Sequence, residues 1–239
     1  GRAGEGKMRL LIGCVAVIGL ALCSVSNGRS SPGREKVENP VFVSLPAARA
    51  AGTLSLEAAL SRRRTVRSFR RDSLSLEQVG QLTWAAQGTT GANREGRTAP
   101  SAGGLYPLEL YVLASRVEKL APGVYRYESR PHRLRKVLAG DVIHRLAPAA
   151  LRQEWVEEAP VVFLIAAVAS KTTVKYGSRG IRYVHMEAGH AAQNLALQAE
   201  ALELGAGVVG AFQDGRLAEL TGLPGGCAPL YLLPVGRKR

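Results

Sequence analysis

The 239-residue chain predicts a domain of mixed helices and strands, α/β or α+β, on three observations. Apolar strand-like runs alternate with helical segments through residues 55–239. One run, Val161–Ala169, is apolar throughout, rich in β-branched residues, and bounded by Pro160 and Ser170, the pattern of a strand buried on both faces. One helix, Gly180–Leu204, is dense in Ala, Leu, Gln and Glu, which lose little on entering a helix, and Gly205 stops it.

The elements follow in order. Leu56–Leu60 is a short helix leading into a basic stretch. Ser75 with Gln78 three residues on forms a capping box, and Leu76, Val79 and Leu82 carry the helical stripe until Gly88. From Gly88 to Pro107, five glycines and two prolines leave a loop without regular structure, a length usually reserved for function or disorder. Leu108–Ala114 is a strand, and Val124–Glu128 and Leu134–Leu138 flank a turn at Pro131 as a hairpin. Asp141 caps a short helix. After the buried strand and the long helix come strands Val208–Phe212 and Leu230–Val235, with a short helix near Arg216–Leu220 between them.

Residues 1–28 stand apart from the fold. Behind Lys7, Met8 and Arg9, Leu10–Cys23 is uncharged, and small residues follow it, the pattern of a secretory signal. At 1.5 Å rise each, its fourteen residues fall short of a bilayer core of ~30 Å. The expectation is export, to the periplasm or beyond; a buried core helix, a lipid anchor at Cys23 and a cytoplasmic protein are the other readings. Residues 29–54, with Pro32, Gly33, Pro40, Pro46 and Gly52, read as a linker, and the domain occupies 55–239.

Apolar residues at 46% and charged residues at 21% give a globular balance. Three cysteines exclude a disulfide scaffold, and Cys14 and Cys23 fall in the signal segment. Lys+Arg of 32 against Asp+Glu of 19 leaves +13, a surface that attracts nucleic acid, anionic lipid or a phosphorylated cofactor.

Four segments carry residues that suit chemistry. Arg62–Arg71 holds six arginines and two hydroxyls, a set that grips an oxyanion in pairs of donors. It also suits a nucleic-acid backbone or a solvated helix end, although none of the standard nucleic-acid motifs is present. Pro100–Pro107 is small enough for a flat ligand to approach its backbone N–H groups, and it also suits a plain surface loop. His185 and His190 invite a metal, but five residues of helix set them ~140° apart, and only Glu187 and His190 share a face, so no metal is expected. Lys175-Tyr176, read as part of a loop, can move a proton, because an ammonium favours the neighbouring phenolate. Such a pair is also common by chance.

Taken in order, Arg63-Arg64-Thr65-Val66-Arg67-Ser68-Phe69, Pro100–Pro107, Lys175-Tyr176-Gly177, Tyr183–Leu195, Gly207–Phe212 and Leu232–Gly236 resemble the nitroreductase-like FMN enzymes. Within them they are most similar to the SagB-type branch, which includes dehydrogenases that oxidise thiazolines and oxazolines in modified peptides. The resemblance implies an α+β fold, a three-layer α/β/α sandwich, whose homodimer builds two FMN sites with the long helix packed between subunits. It implies that Arg63, Arg64, Thr65 and Arg67 hold the FMN phosphate and ribityl chain. Ser101, Gly103 and Gly104 would line the flavin, Gly207, Gly210 and Ala211 its opposite wall, and Arg237 or Lys238 would add phosphate contact. Lys175 and Tyr176 fall on the branch's catalytic pair. The implied activity passes hydride from a donor, NAD(P)H or an azoline-like substrate, to an acceptor; a small molecule or peptide is the substrate class. The competing reading is a secreted basic module that binds polyanions without catalysis.

Overall fold

One antiparallel seven-stranded sheet organises the computed structural model, which describes residues 40–91, 93 and 95–239. In chain order the elements are β1 (Phe42–Ser44), α1 (Leu56–Arg62), α2 (Leu76–Gln87), β2 (Thr89–Thr90), β3 (Gly96–Arg97), β4 (Leu108–Ala114), β5 (Gly123–Glu128), β6 (Arg133–Ala139), α3 (Leu146–Ala149), β7 (Val161–Ala167), α4 (Ser170–Tyr176), α5 (Arg179–Ala201), β8 (Leu204–Ala206), α6 (Asp214–Thr221) and β9 (Ala228–Arg237). The sheet runs β1-β6-β5-β4-β7-β9-β8, and β2 pairs β3 in a separate hairpin.

β7 is the central strand, and its period-2 side chains divide between two cores. Phe163, Ile165 and Ala167 face Val79 and Leu82 of α2 and Val184, Ala188 and Leu195 of α5. Val162, Leu164 and Ala166 face Leu146 of α3 and Leu217 and Leu220 of α6. All seven β7 residues are buried, which is why the sequence shows an unbroken apolar run there and no alternation. The product is helices, sheet, helices: the three-layer α+β sandwich that was expected. α2 starts on the predicted capping box, with Gln78 N–H donating to Ser75 Oγ at 3.2 Å and Ser75 N–H to Gln78 Oε1 at 3.0 Å.

Several elements differ from their sequence reading. Phe42–Ser44 lies in the span read as a linker, yet it pairs with Arg133–Arg135 of β6. Three residues between prolines, two of them strand-prone, show no period, and the hydrogen bonds that make them a strand come from β6. His132 fastens the same segment: its Nε2 is 3.0 Å from the Pro46 carbonyl and its Nδ1 2.7 Å from the Tyr127 hydroxyl. The carbonyl only accepts, so His132 donates from Nε2 and accepts from Tyr127 at Nδ1. The glycine-rich stretch contains the β2–β3 hairpin and a 3₁₀ turn at Ala102–Gly104. The long helix stops at Ala201, Glu203 takes φ 58°, and Gly205 sits inside β8, so the strand read at Val208–Phe212 begins earlier, at Leu204. Beyond it only Val209 bridges Leu232.

Residues 1–28, with the signal segment, Cys14 and Cys23, lie outside the described residues. Among the described residues no helix is long and apolar enough to cross a membrane, and Cys227 is a buried free thiol.

Candidate active site

β4 and β9 flank β7 with fixed register: Ala167 stands between Leu108 and Ala228 at one end, Val161 between Ala114 and Val235 at the other. At ~3.4 Å per residue the two ends are about 20 Å apart. Each end carries one group of the residues singled out in the sequence.

At the Leu108–Ala167 end, the Pro100–Pro107 segment enters β4 and α4 leaves β7. Lys175 and Tyr176 lie in the last turn of α4, a helix and not the expected loop. Gly177 then turns the chain at φ 56°. The polar ends of the pair converge on Gly103: a Cβ there would stand 2.7 Å from Tyr176 Oη and 3.1 Å from Lys175 Nζ. Gly103 and Gly104 both sit in the left-handed region, at φ 62° and 66°, but a Cβ on Gly104 would meet open space. Tyr183 of α5 supports Tyr176 edge-to-face, with ring centroids 5.2 Å apart. A flat backbone patch with an ammonium and a phenol over it can receive a ring and exchange a proton with what lies on that ring.

The Ser101 hydroxyl turns inward. It donates to Glu187 Oε2 at 2.6 Å and accepts the Tyr106 N–H at 2.9 Å, so it fixes the loop rather than offering its proton to a ligand. Glu187 was not among the residues expected to matter for the loop. It is 3% exposed, and its Oε1 is buried with no partner among the described residues. Burial raises its pKa above the ordinary carboxylate value, opposed by the Ser101 bond and by Arg97 nearby. His190, expected on the same face, is exposed instead. The signal for Glu187 was its place beside Val184, Ala188 and Ala191, an acid on the helix's apolar stripe.

At the other end, the segment after α1 runs along the sheet edge. Thr65 bridges Ala206, the Val66 N–H donates to the Ala206 carbonyl at 3.0 Å, and Arg70 N–H reaches the Arg237 carbonyl at 3.0 Å. Arg64 Nη1 donates to the carbonyls of Ser61 and Arg63, and the Arg67 guanidinium lies 5.8 Å from the Trp155 ring centre. Among the described residues, Arg63, Arg64 and Arg67 have no ion pair. Lys238 is held by Glu200 at 2.7 Å, and Arg237 lies 3.8 Å from Asp72, so both C-terminal cations already face carboxylates. Gly207 is buried: a Cβ there would stand 2.5 Å from the Trp155 ring and 2.9 Å from the Val66 carbonyl. Its smallness admits Trp155 rather than an outside ligand. Gly210 and Ala211 are exposed.

The sequence motifs therefore gather into two groups. Arg63, Arg64, Thr65, Arg67, Gly207, Arg237 and Lys238 collect around one end of the sheet; Ser101, Gly103, Gly104, Lys175 and Tyr176 collect at the other. Gly210 and Ala211 continue from Gly207 along β9, beside Tyr231.

Comparison with known proteins bears on this arrangement. The model of the nitroreductase family matches residues 60–237. The Methanocaldococcus jannaschii protein named "Putative nitroreductase MJ1384" is 44% identical over 185 residues, covering 77% of this chain and 92% of that protein. Among solved structures, a "putative nitroreductase" from Ralstonia eutropha has a TM-score of 0.72 at 27% identity, over 86% of this chain and 98% of its own. One from Anabaena variabilis has a TM-score of 0.74 at 28% identity over 83% of this chain. This chain spans 42% of the Anabaena chain's length.

Proposed function

The chain belongs to the nitroreductase family, and from that premise we propose that it is an FMN-dependent oxidoreductase acting as a homodimer. The observation that carries the reading is the division of the site. Arg63–Arg67 offers unpaired guanidinium forks suited to a phosphate, and Gly104, open beside the Gly103 that Lys175 and Tyr176 cover, offers a backbone patch suited to a ring. The roughly 20 Å of sheet between the two ends is far longer than a ribityl chain. A second subunit, set so that its Gly103 end meets the Arg63–Arg67 end of the first, supplies both halves. Exposed Val174 of α4 and Ile181 and Met186 of α5 give such a pairing an apolar surface.

On this reading Arg63, Arg64, Thr65 and Arg67 hold the phosphate and ribityl chain, with Gly210–Ala211 lining the site and Arg237 or Lys238 adding contact. Lys238 must first leave Glu200, whose carboxylate is largely buried while the ammonium is partly exposed. Gly103 and Gly104 form the floor under the ring, and Ser101 with Glu187 keeps that floor in shape. FMN held there would supply two-electron chemistry between a donor, NAD(P)H or the substrate itself, and an acceptor such as a quinone, a nitro compound or oxygen. Lys175 and Tyr176 hold the proton side of the reaction above Gly103. Their convergence there supports the SagB-type branch and an azoline-like substrate, small or peptide-borne. The family match gives no support to a non-catalytic module for polyanions. Export remains the reading of the first 28 residues.

The test is spectroscopic. Purified protein should be yellow, contain close to one FMN per chain and run as a dimer. A colourless monomer that added FMN neither colours nor dimerises would sink the proposal.

A further inference from the structure

Gln87 closes α2 and is 2% exposed. Its Oε1 accepts from Arg97 Nη1 at 2.7 Å, which leaves Nε2 as a buried donor with no partner among the described residues. Arg97, on β3, lies 4.7 Å from the centre of the Tyr106 ring. Both line a cleft of about 560 Å³ between the β2–β3 hairpin, Tyr106, strands β4 and β5, and α4.

The charges of this cleft do not cancel. Among the described residues four cations line it, Arg97, Arg126, Arg130 and Lys171, with three carboxylates, Glu95, Glu109 and Glu128. Glu109 is already held by two of the cations, Arg126 at 2.6 Å and Lys171 at 2.8 Å. Glu128 is held by Arg133 at 2.7 Å. Arg97 feels Glu109 and Glu187 through space, with neither in contact. A half-buried guanidinium whose only side-chain hydrogen bond, among the described residues, is to a neutral amide is costly unless an anion completes it. A water would satisfy the Gln87 N–H and leave that charge uncompensated.

We propose that this cleft binds an organic carboxylate, with the Arg97 guanidinium and Gln87 Nε2 donating to its oxygens. The half-exposed Tyr106 ring gives the wall an apolar edge suited to an acid with an unsaturated or aromatic body. α4 joins the cleft to the candidate active site: Lys171 lines the cleft, and Lys175, one turn on, stands over Gly103. A ligand anchored at Arg97 extends toward that patch. Its role as a substrate rests on the flavin reading; its binding does not.

Benzoate is the probe, titrated calorimetrically into the purified full chain with benzamide as the uncharged match. Benzoate should bind, benzamide at least tenfold more weakly, and Arg97→Gln should weaken benzoate about tenfold or more, the loss expected of one charge-assisted bond. Gln87→Glu gives Arg97 an internal counter-ion, so it should fold and lose benzoate. Equal affinity for benzoate and benzamide, no benzoate binding at millimolar concentration, or unchanged binding in Gln87→Glu overturns the proposal. On flavin-loaded protein, Arg97→Gln should lower kcat/KM for para-nitrobenzoate and spare its methyl ester; equal losses for both also count against it. Colourless protein that still binds benzoate through Arg97 contradicts the flavin reading and supports the site.

Discussion

Gly103→Ala tests whether Tyr176 is held where chemistry needs it, and Gly104→Ala is its internal control. Both glycines are left-handed, so an alanine at either costs about 1–2 kcal/mol of backbone strain. In a domain of this size that lowers the thermal midpoint by roughly 2–8 °C. The methyl at 104 meets nothing within 4 Å, whereas the methyl at 103 stands 2.7 Å from Tyr176 Oη. Ordinary contact begins at 3.4 Å, so the hydroxyl must retreat by about 0.7 Å. Crowding of this kind costs about 1 kcal/mol more, the low end of the range, because Tyr176 is half-exposed and its hydroxyl can shift toward solvent. Gly103→Ala should therefore melt ~2–4 °C below Gly104→Ala when both are measured without flavin. Adding Tyr176→Phe should recover that difference in the 103 background and change nothing in the 104 background, a coupling read as a double-mutant cycle. With flavin bound, a displacement approaching 1 Å should cost Gly103→Ala up to ~10² in turnover. Tyr176→Phe alone should keep the flavin spectrum and lose ~10²–10⁴. Equal melting of the two alanine variants, or an equal effect of Tyr176→Phe in both backgrounds, would refute the reasoning.

Three further outcomes are expected. Arg63→Ala and Arg67→Ala should each loosen FMN by about 1.5–3 kcal/mol, read as a roughly tenfold or larger rise in Kd by fluorescence titration; unchanged Kd in both would put the phosphate elsewhere. Burial holds His132 below its ordinary value of 6.5, so the folded state keeps it neutral and binds fewer protons than the unfolded chain. Its contribution is complete above that value and is lost as pH falls through it, so the thermal midpoint of the parent should drop more steeply between about pH 7 and 5 than that of His132→Gln. Finally, sequencing of protein from an exporting host should find a mature N-terminus between Ser24 and Arg29; an intact Met8 in a cytoplasmic pool would contradict export.

The elements legible in the sequence were those whose stability is local or whose surroundings are uniform. α2 announces itself through a capping box that needs no other part of the chain. β7 shows in its composition because it is apolar on both sides, and α5 through length and helix-forming residues. Elements stabilised from elsewhere were not legible. Phe42–Ser44 is a strand because β6 supplies its hydrogen bonds, and β8 begins at Leu204 because β9 fixes the register. Gly205 stands in that strand because Val66 packs where its Cβ would be.

The same division holds for the site. The sequence by itself determined the kinds of group available: a run of arginines, a glycine-rich segment, an adjacent Lys and Tyr, and an excess of positive charge. Those are properties of composition and short spacing, and no folding alters them. Only the tertiary structure decided which groups act together. Lys175 and Tyr176 reach Gly103 across more than seventy residues because β4 and β7 pair in one register and leave the sheet at the same end. Glu187 became the anchor of Ser101 through the packing of α5 on one face of the sheet, and Gln87 and Arg97 became neighbours because the β2–β3 hairpin folds Arg97 back beside the end of α2. The arginines landed about 20 Å away because their segment follows β8, at the far end of β9. Contacts between residues far apart in sequence follow from sheet register and layer packing, which a linear pattern does not encode.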